Sequence, residues 1–197
     1  MTHLPSHTGN YTSAELRALG LTFGSDVSVH RSVQFFNADR ITLGSRVRID
    51  CLSVLTAGQP VRIGHNVHLS AGVNIFGAAG VELGDFCGLS SRVSLFSTSD
   101  DYADGFLTNP TVPPQFRQVS AAKVVLHPHV IVGCGSVIMP GVTLERGVAV
   151  GALSFVNQRV PEFLIVAGQP ARRVGLRNRE RLDRLEREYL ATRSTPA

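Results

Sequence analysis

The sequence has only three cysteines, no tryptophan and no long apolar run. Cys51, Cys87 and Cys134 are far apart and odd in number, which argues against a disulfide framework or a cysteine-based zinc site. We therefore expect a reducing, cytoplasmic location. No stretch approaches the roughly 18 apolar residues of a membrane span, and residues 1–10 lack the basic start and apolar run of a signal peptide.

Neither sign of charge predominates strongly, because the net charge of the 197 residues is only +4. Much of the basic excess lies near the C-terminal end, in Arg172, Arg173, Arg177, Arg179, Arg181, Arg184 and Arg187. Interleaved acidic residues favour a solvated helix face, and the alternative is a basic edge that holds an anionic cofactor. No known motif and no basic patch with aromatics indicates nucleic-acid binding.

A repeat of six residues runs through the chain. Hexads that begin with an apolar residue recur every 20 residues, at Phe23, Leu43, Ile63 and Leu83. Two further sets follow, at Val29, Ile49, Leu69 and Leu89 and at Phe35, Leu55, Ile75 and Leu95. After an interruption the pattern resumes with a shorter period of 18 residues, at Leu126, Val132, Ile138, Leu144, Val150 and Val156.

This period predicts a parallel β-helix in which three short strands form each triangular coil. The first residue of a hexad is apolar and the fifth is small or β-branched, so both are expected to point into the shaft. Glycine is frequent at the second position, where we expect the chain to bend without a Cβ clash. About six coils at about 4.8 Å spacing give a shaft on the order of 30 Å. A β-sandwich would not require the six-residue phase.

The two ends are predicted to be helical. Residues 12–20 begin with a capping threonine and end at a glycine, as a short helix covering the open end of the shaft would. Residues 178–192 carry a helical apolar stripe of Leu182, Leu185, Tyr189 and Leu190. The expected organisation is a helical cap at 1–22, a β-helix domain at 23–173 with an inserted loop at 97–123, and a C-terminal helix and tail at 174–197.

Three segments of the C-terminal half resemble the hexapeptide-repeat acetyltransferases of maltose, galactosides and polysaccharides. They are GCGSVIMPGVTL at 133–144, VGALS at 150–154 and AGQPARRV at 167–174. In the insert, STSDDY at 97–102 and LTNPTVP at 107–113 resemble a sugar O-acetyltransferase subgroup. The resemblance covers roughly residues 11–190 and implies an all-β, left-handed parallel β-helix, against the general right-handed crossover rule.

The resemblance also implies a function and an assembly. The family is trimeric and binds coenzyme A in the groove between neighbouring prisms, so we expect a homotrimer with acetyl-CoA as co-substrate and no metal. The expected activity is O-acetylation of a sugar or polysaccharide precursor by direct acyl transfer. The alternatives are N-acetylation of a nucleotide-linked amino sugar and a non-catalytic β-helix scaffold.

Three residues are candidates for the acid–base chemistry. His68 is the sixth residue of its hexad and should point outward, and its surroundings resemble the coil that carries the base in bacterial amino-sugar N-acetyltransferases. An imidazole titrates near neutrality and can take the acceptor's proton. Galactoside and maltose enzymes instead carry their histidine at the start of the insert, where this chain has Asp100 and Asp101. Either aspartate could orient His68, bind the acceptor, act as the base or cap a turn.

The resemblance assigns binding roles to further residues. In the insert, Tyr102 could stack on a sugar and Asn109 is a candidate acceptor-binding residue. The candidates for the cofactor groove are Gly133, Ser136, Gly151, Ala152, Arg172 and Arg173. The small residues could instead serve the turns, whereas an arginine fork suits the coenzyme phosphates.

His127 and His129 flank Pro128 at a predicted corner. We expect corner residues without chemistry, because neither this pair nor His65 with His68 matches the ligand spacing of the zinc-dependent branch that shares the fold.

Overall fold

The computed structural model describes residues 9–194, and it has the predicted β-helix architecture. Its strands form three stacks, which we name face 1, face 2 and face 3. Face 1 contains Thr22–Phe23, Ile41–Leu43, Val61–Ile63, Val81–Leu83, Val124–Leu126 and Thr143–Leu144. Face 2 contains Ser28–Val29, Arg48–Ile49, His68–Leu69, Gly88–Leu89, Ile131–Val132, Ala149–Val150 and Leu164–Gly168. Face 3 contains Gln34–Phe36, Val54–Ala57, Asn74–Gly77, Ser94–Phe96, Val137–Ile138 and Phe155–Val156.

The parallel pairing places equivalent hexad positions on top of one another. On face 1, Leu43 pairs with Ile63, and Leu83 pairs with Ile63 below it and Leu126 above it. The first hexad residues are buried in every coil except the first, where Phe23 and Phe35 are partly exposed. Six coils are complete and a seventh has begun on face 2, so the predicted fold and coil number are confirmed.

The corners show how the hexad turns. Its fourth residue adopts a left-handed conformation, with φ near +60° at Asp26, Arg46, Asn66 and Phe86. The bend therefore lies two residues later than the glycine at the second position. That glycine is required by the coil spacing instead, since a Cβ on Gly44 would lie 2.6 Å from the carbonyl carbon of the next coil's second-position glycine.

The ends of the shaft are closed by different elements. Helix α1, Ser13–Ala18, buries Leu16 in the same apolar cluster as the first coils. At the other end, Ala171–Leu176 pairs antiparallel with Leu164–Gly168. Helix α2, Arg179–Ser194, then returns along the shaft.

Helix α2 contacts the shaft mainly through polar groups. Arg146 forms ion pairs with Asp183 at 2.6 Å and Glu186 at 2.8 Å, and the Tyr189 hydroxyl donates to Asn66. Along the predicted apolar stripe, Leu182 and Tyr189 are half-buried, whereas Leu185 and Leu190 are exposed. Across residues 9–194, neither helix is long and apolar enough to cross a membrane.

The inserted segment leaves the shaft after face 3. Thr98–Asp100 and Val119–Ala121 form a separate antiparallel pair. The chain then rejoins face 1, where Val124–Leu126 pairs in register with Val81–Leu83. The insert therefore projects outward without interrupting the stack.

The three cysteines should differ sharply in reactivity. Burial raises the pKa of Cys87 to about 12, whereas Cys134 is exposed. Because the thiolate is the reactive form, we expect a maleimide to label Cys134 first and Cys87 only after unfolding. Mass spectrometry of peptides from the labelled native protein measures this order. Early labelling of Cys87 would contradict the inward direction of the fifth hexad position.

The cap on helix α1 predicts a pH-dependent contribution to stability. The carboxylate of Glu15 accepts from the backbone N–H and hydroxyl of Thr12 and from Arg31, and these bonds lower its pKa from 4.5 to about 2, that of the Thr12 N–H contributing most. A carboxyl with a depressed folded pKa stabilises the fold above its unfolded pKa and loses this effect as the pH falls. Glu15→Gln should therefore lower the denaturation midpoint at pH 7, and the deficit should narrow as the pH falls below 4.5 toward 2.

Denaturant titrations at several pH values measure this deficit. Glu188→Gln is a suitable control, because Glu188 makes only an exposed contact with Arg184 at 3.8 Å. A deficit of the same size at every pH would show that the charge of Glu15 is not responsible.

Candidate active site

His68 lies on face 2 with its side chain directed outward, as predicted for the sixth hexad position. Its imidazole is about half exposed, at 49%. Nε2 of His68 lies 2.8 Å from Oδ2 of Asp50, on the coil below. The other carboxylate oxygen of Asp50 accepts from Nε of Arg48 at 2.7 Å. The three side chains therefore form a connected polar row on the surface of the shaft.

The electrostatics of Asp50 determine which imidazole nitrogen is available. Partial burial acts to raise the pKa of Asp50, but the hydrogen bonds from His68 and Arg48 outweigh it and the pKa lies below its usual value. Asp50 is therefore ionised near neutrality and can only accept. In a neutral His68 imidazole, Nε2 therefore donates to Asp50, and the lone pair of Nδ1 is the one that can accept a proton from a substrate.

Asp50 was not among the residues singled out from the sequence. The strand register could have identified it. Arg48 pairs directly with His68, and Asp50 follows two residues after Arg48 on the same face. Asp50, 18 residues before His68, is thus its diagonal neighbour on the preceding coil. Within one chain, the carboxylate that contacts His68 is that of Asp50.

A groove lies beside His68 on face 2. Its volume is about 350 Å³, and its walls include Ser70, Ser90, Ser91 and Ile131. Serine hydroxyls can donate and accept, while Ile131 is 45% exposed and adds an apolar surface. The groove therefore offers both polar and apolar contacts next to the free imidazole nitrogen.

Asp100 and Tyr102 lie at a second cavity, of about 540 Å³, between the insert and face 3. Phe96, Met139 and Phe155 supply most of its apolar lining. Asp100 accepts from the backbone N–H of Asn109 at 3.4 Å, and the Tyr102 ring is 92% exposed. This cavity combines an apolar wall with one carboxylate.

Asp101 and Asn109 make local contacts in the insert. The carboxylate of Asp101 accepts from the backbone N–H groups of Ala103, Asp104 and Phe106, and these bonds, that of Asp104 first, lower its pKa. Oδ1 of Asn109 accepts from the backbone N–H and hydroxyl of Thr111. The carboxylate of Asp101 thus caps the turn that follows it.

The predicted catalytic residues do not meet within one chain. His68 lies on face 2, whereas Asp100 lies on the hairpin that leaves face 3.

The small residues proposed for the cofactor groove lie near the top of the shaft. Ser136 is fully buried and its hydroxyl donates to the carbonyl of Gly151 at 2.9 Å. A Cβ on Gly133 would lie 2.5 Å from the backbone nitrogen of Ala152. Coil packing alone accounts for Gly133 and Ser136, whereas Ala152 is exposed and accessible to a ligand.

Arg172 and Arg173 lie on the terminal antiparallel strand and are exposed. They border a cavity of about 310 Å³ that also contains Asn157 and Arg159. Among the ion pairs of the described residues, neither arginine has a carboxylate partner. This end of the molecule is therefore suited to an anion such as a phosphate.

The other histidine pair belongs to the structural framework. His129 stacks on Phe86 at 4.7 Å, and its Nε2 lies 2.8 Å from Glu186 without an aligned hydrogen bond. His127 lies 3.5 Å from Glu145. Within residues 9–194, no group of three or more His, Cys, Asp or Glu side chains could hold a metal ion.

A hexad β-helix of this kind is the fold of the hexapeptide-repeat acetyltransferases. The chain is 33% identical over 171 residues to the dTDP-4-amino-4,6-dideoxy-D-glucose acyltransferase of Escherichia coli, covering 86% of this chain and 89% of the relative. The chain belongs to this family of sugar acyltransferases. No model of a known protein family matches it.

The chain is also similar to two other acyltransferases, one over nearly its whole length and one over about half of it. AntD, an N-acyltransferase of Bacillus cereus solved with dTDP and 3-hydroxybutyryl-CoA, superposes with a TM-score of 0.90 at 34% identity, over 95% of this chain and 99% of its own. The putative lipopolysaccharide O-acetyltransferase WbbJ of Escherichia coli strain K12 is 30% identical over 58% of this chain and 60% of its own. The prediction of a coenzyme-A-dependent sugar acyltransferase is confirmed.

The His68–Asp50 pair predicts different effects for its two members. His68→Ala removes the free nitrogen and should lower kcat by about 10²–10⁴-fold. Asp50→Asn should lower kcat by roughly tenfold or more, because an amide does not fix the proton on Nε2 as a carboxylate does. Asp50→Glu should recover part of the loss.

Steady-state thiol release and calorimetric coenzyme A binding measure these effects. We expect coenzyme A affinity to stay within about twofold in all three variants. Full activity in Asp50→Asn with low activity in His68→Ala would show that the base works without its carboxylate.

Proposed function

We propose that the chain transfers an acyl group from acyl-CoA to the amine of a nucleotide-linked amino sugar. The observation that carries this proposal is the likeness over most of the chain to the Escherichia coli acyltransferase of a dTDP-linked amino sugar and to AntD. A variant of AntD solved with dTDP-4-amino-4,6-dideoxyglucose and coenzyme A superposes with a TM-score of 0.89. The product would be an N-acylated sugar nucleotide, a precursor for polysaccharide biosynthesis.

O-acetylation of a sugar is the second candidate, and the likeness to WbbJ favours it over part of the chain. The insert weighs against it, because residues 97–102 contain no histidine at the place where the galactoside and maltose enzymes carry theirs. An amine also needs less help than a hydroxyl, since its neutral form is already a nucleophile. The amine therefore remains the better-supported acceptor.

In the proposed reaction, the neutral amine attacks the thioester carbonyl carbon and forms a C–N bond. Nδ1 of His68 takes the proton that the new ammonium centre must lose, while Asp50 stabilises the resulting imidazolium. The C–S bond then breaks, and the proton on His68 passes to the departing thiolate of coenzyme A. A backbone N–H would stabilise the oxyanion, and holding both substrates in one groove supplies much of the rate gain.

We place this chemistry in a homotrimer. Tyr102, Phe106, Leu107 and Phe116 of the insert are all exposed, which suits contact with a neighbouring chain. An insert that reaches face 2 of the next copy would bring Asp100 and Tyr102 toward His68 and complete the acceptor site. Cyclic symmetry would then form three equal sites.

The coenzyme would lie along the upper coils, with its phosphates near Arg172 and Arg173 and its pantetheine arm over Ala152. Gly133, Ser136 and Gly151 would support the groove from within. The free thiols of Cys51, Cys87 and Cys134 suit the cytoplasm, where we place the protein.

Thiol release with a panel of acceptors tests the proposed function. We expect turnover with a dTDP-4-amino-4,6-dideoxy sugar and a kcat/KM at least about 10³-fold lower with the matching 4-hydroxy sugar, because a hydroxyl needs far stronger activation. Mass spectrometry should find one acyl group on the sugar nitrogen, and His68→Ala should lower the rate.

A preference for the 4-hydroxy sugar would establish the O-acetyltransferase instead. Absence of turnover with every acceptor, together with absence of coenzyme A binding by calorimetry, would favour the scaffold alternative.

A further inference from the structure

Two glycines of this protein have neither a positive φ nor a close contact that requires glycine, and at one of them, Gly88, the position of a Cβ is open space. All 19 glycines lie among the described residues, and nine of them have a positive φ that favours glycine. Another eight would place a Cβ within 3.0 Å of a neighbouring atom. Of the remaining two, Gly175 would meet Ile165 at an ordinary 3.5 Å, and Gly88 would meet nothing within 4 Å.

Gly88 lies beside the candidate base. It belongs to the strand Gly88–Leu89 of face 2, and its Cα pairs with His68 on one side and Ile131 on the other. A glycine in a strand weakens the strand and often marks a place where a ligand approaches closely. The backbone conformation of Gly88 would allow a side chain. The absence of one at this position, with open space around it, is therefore what has to be explained.

The space above Gly88 is part of the groove on face 2, between the imidazole of His68 and the half-exposed side chain of Ile131. A side chain at position 88 would project into this groove and divide it. The open position at Gly88 therefore contributes directly to the volume of this groove.

The chemistry of the site indicates the occupant. The base must come within hydrogen-bonding reach of the nitrogen that attacks the thioester carbonyl, so the acyl group lies next to His68. We propose that Gly88 makes room for this acyl group and sets the largest acyl chain that the enzyme accepts. The inference depends on the proposed acyl-CoA reaction at His68, and it goes further by assigning the donor class to acyl groups longer than acetyl.

Ile131 and the serines support this assignment. An acyl chain that extends over Gly88 would contact the exposed side chain of Ile131 on one side. Ser90 and Ser91 border the same groove and could bind a polar substituent on the chain.

Selectivity among acyl donors tests the proposal. Wild type, Gly88→Ala and Gly88→Val are compared with acetyl-, butyryl- and hexanoyl-CoA by thiol release with the amino-sugar acceptor. We expect wild type to use butyryl-CoA, and Gly88→Val to lower kcat/KM for butyryl-CoA on the order of tenfold or more relative to acetyl-CoA. The ratio of kcat/KM for butyryl-CoA to that for acetyl-CoA in Gly88→Ala should lie between the ratios of wild type and Gly88→Val. Both variants should have a melting temperature at or above that of wild type.

Calorimetry separates this inference from the proposed function. Even if no amino sugar is acylated, butyryl-CoA should bind Gly88→Val at least about tenfold more weakly than wild type, while free coenzyme A binds both equally. Gly175→Ala is the matched control, because it is also a glycine-to-alanine change without a clash, and it should leave acyl selectivity unaltered.

Three results would overturn the role of Gly88. The first is an unchanged ratio of acetyl to butyryl transfer in Gly88→Val. The second is an equal loss with acetyl-CoA, butyryl-CoA and free coenzyme A, which would place the coenzyme itself over Gly88. The third is a change in oligomeric state on gel filtration, which would show that the space is filled by a neighbouring chain.

Discussion

The stacking of one coil on the next is the interaction on which the rest of the structure depends. Within the six complete coils each strand pairs in parallel with its equivalents, and from the second coil onward the apolar residues that begin the hexads form continuous buried columns along all three faces. The spacing leaves so little room that Gly44 cannot carry a Cβ, while the left-handed corner at Arg46 turns the chain onto the next face. Since the interior is filled, chemistry can occur only on the outer surface or in an insertion.

The same stacking builds the candidate site. Residues far apart in the chain become neighbours when their distance matches the coil, so Arg48 lies beside His68 and Asp50 lies diagonally from it. His68 projects from a strand of face 2, and Asp50 directly follows the neighbouring strand. The groove beside His68 is lined by Ser70 of the same coil and by Gly88, Ser90, Ser91 and Ile131 of the next two coils. A solenoid thus assembles a site along its axis from residues of successive coils.

The fold was largely predictable and the site only in part. A period of 20 and then 18 residues determines which residues are buried, so the faces, the register and the outward direction of His68 followed from the hexads. The contact of His68 with Asp50 did not, because the two residues are 18 residues apart and not one coil period of 20, so the repeat aligns His68 with Arg48 instead. The contacts of Asp101 with three backbone N–H groups depend on how the loop folds, which no repeat predicts.

The reversal of strand direction at the top of face 2 affects how one molecule could associate with the next. A parallel solenoid is in principle open-ended, since its last coil offers the same unpaired edge that every earlier coil offered to its successor. Here Ala171–Leu176 runs antiparallel to Leu164–Gly168, so the outermost strand of face 2 no longer has the direction that another coil would continue. At the opposite end, helix α1 covers the first coil. With both ends altered in this way, one molecule is a poor template for the next, and a fold closely related in geometry to fibrillar β-structure is kept from growing into a filament.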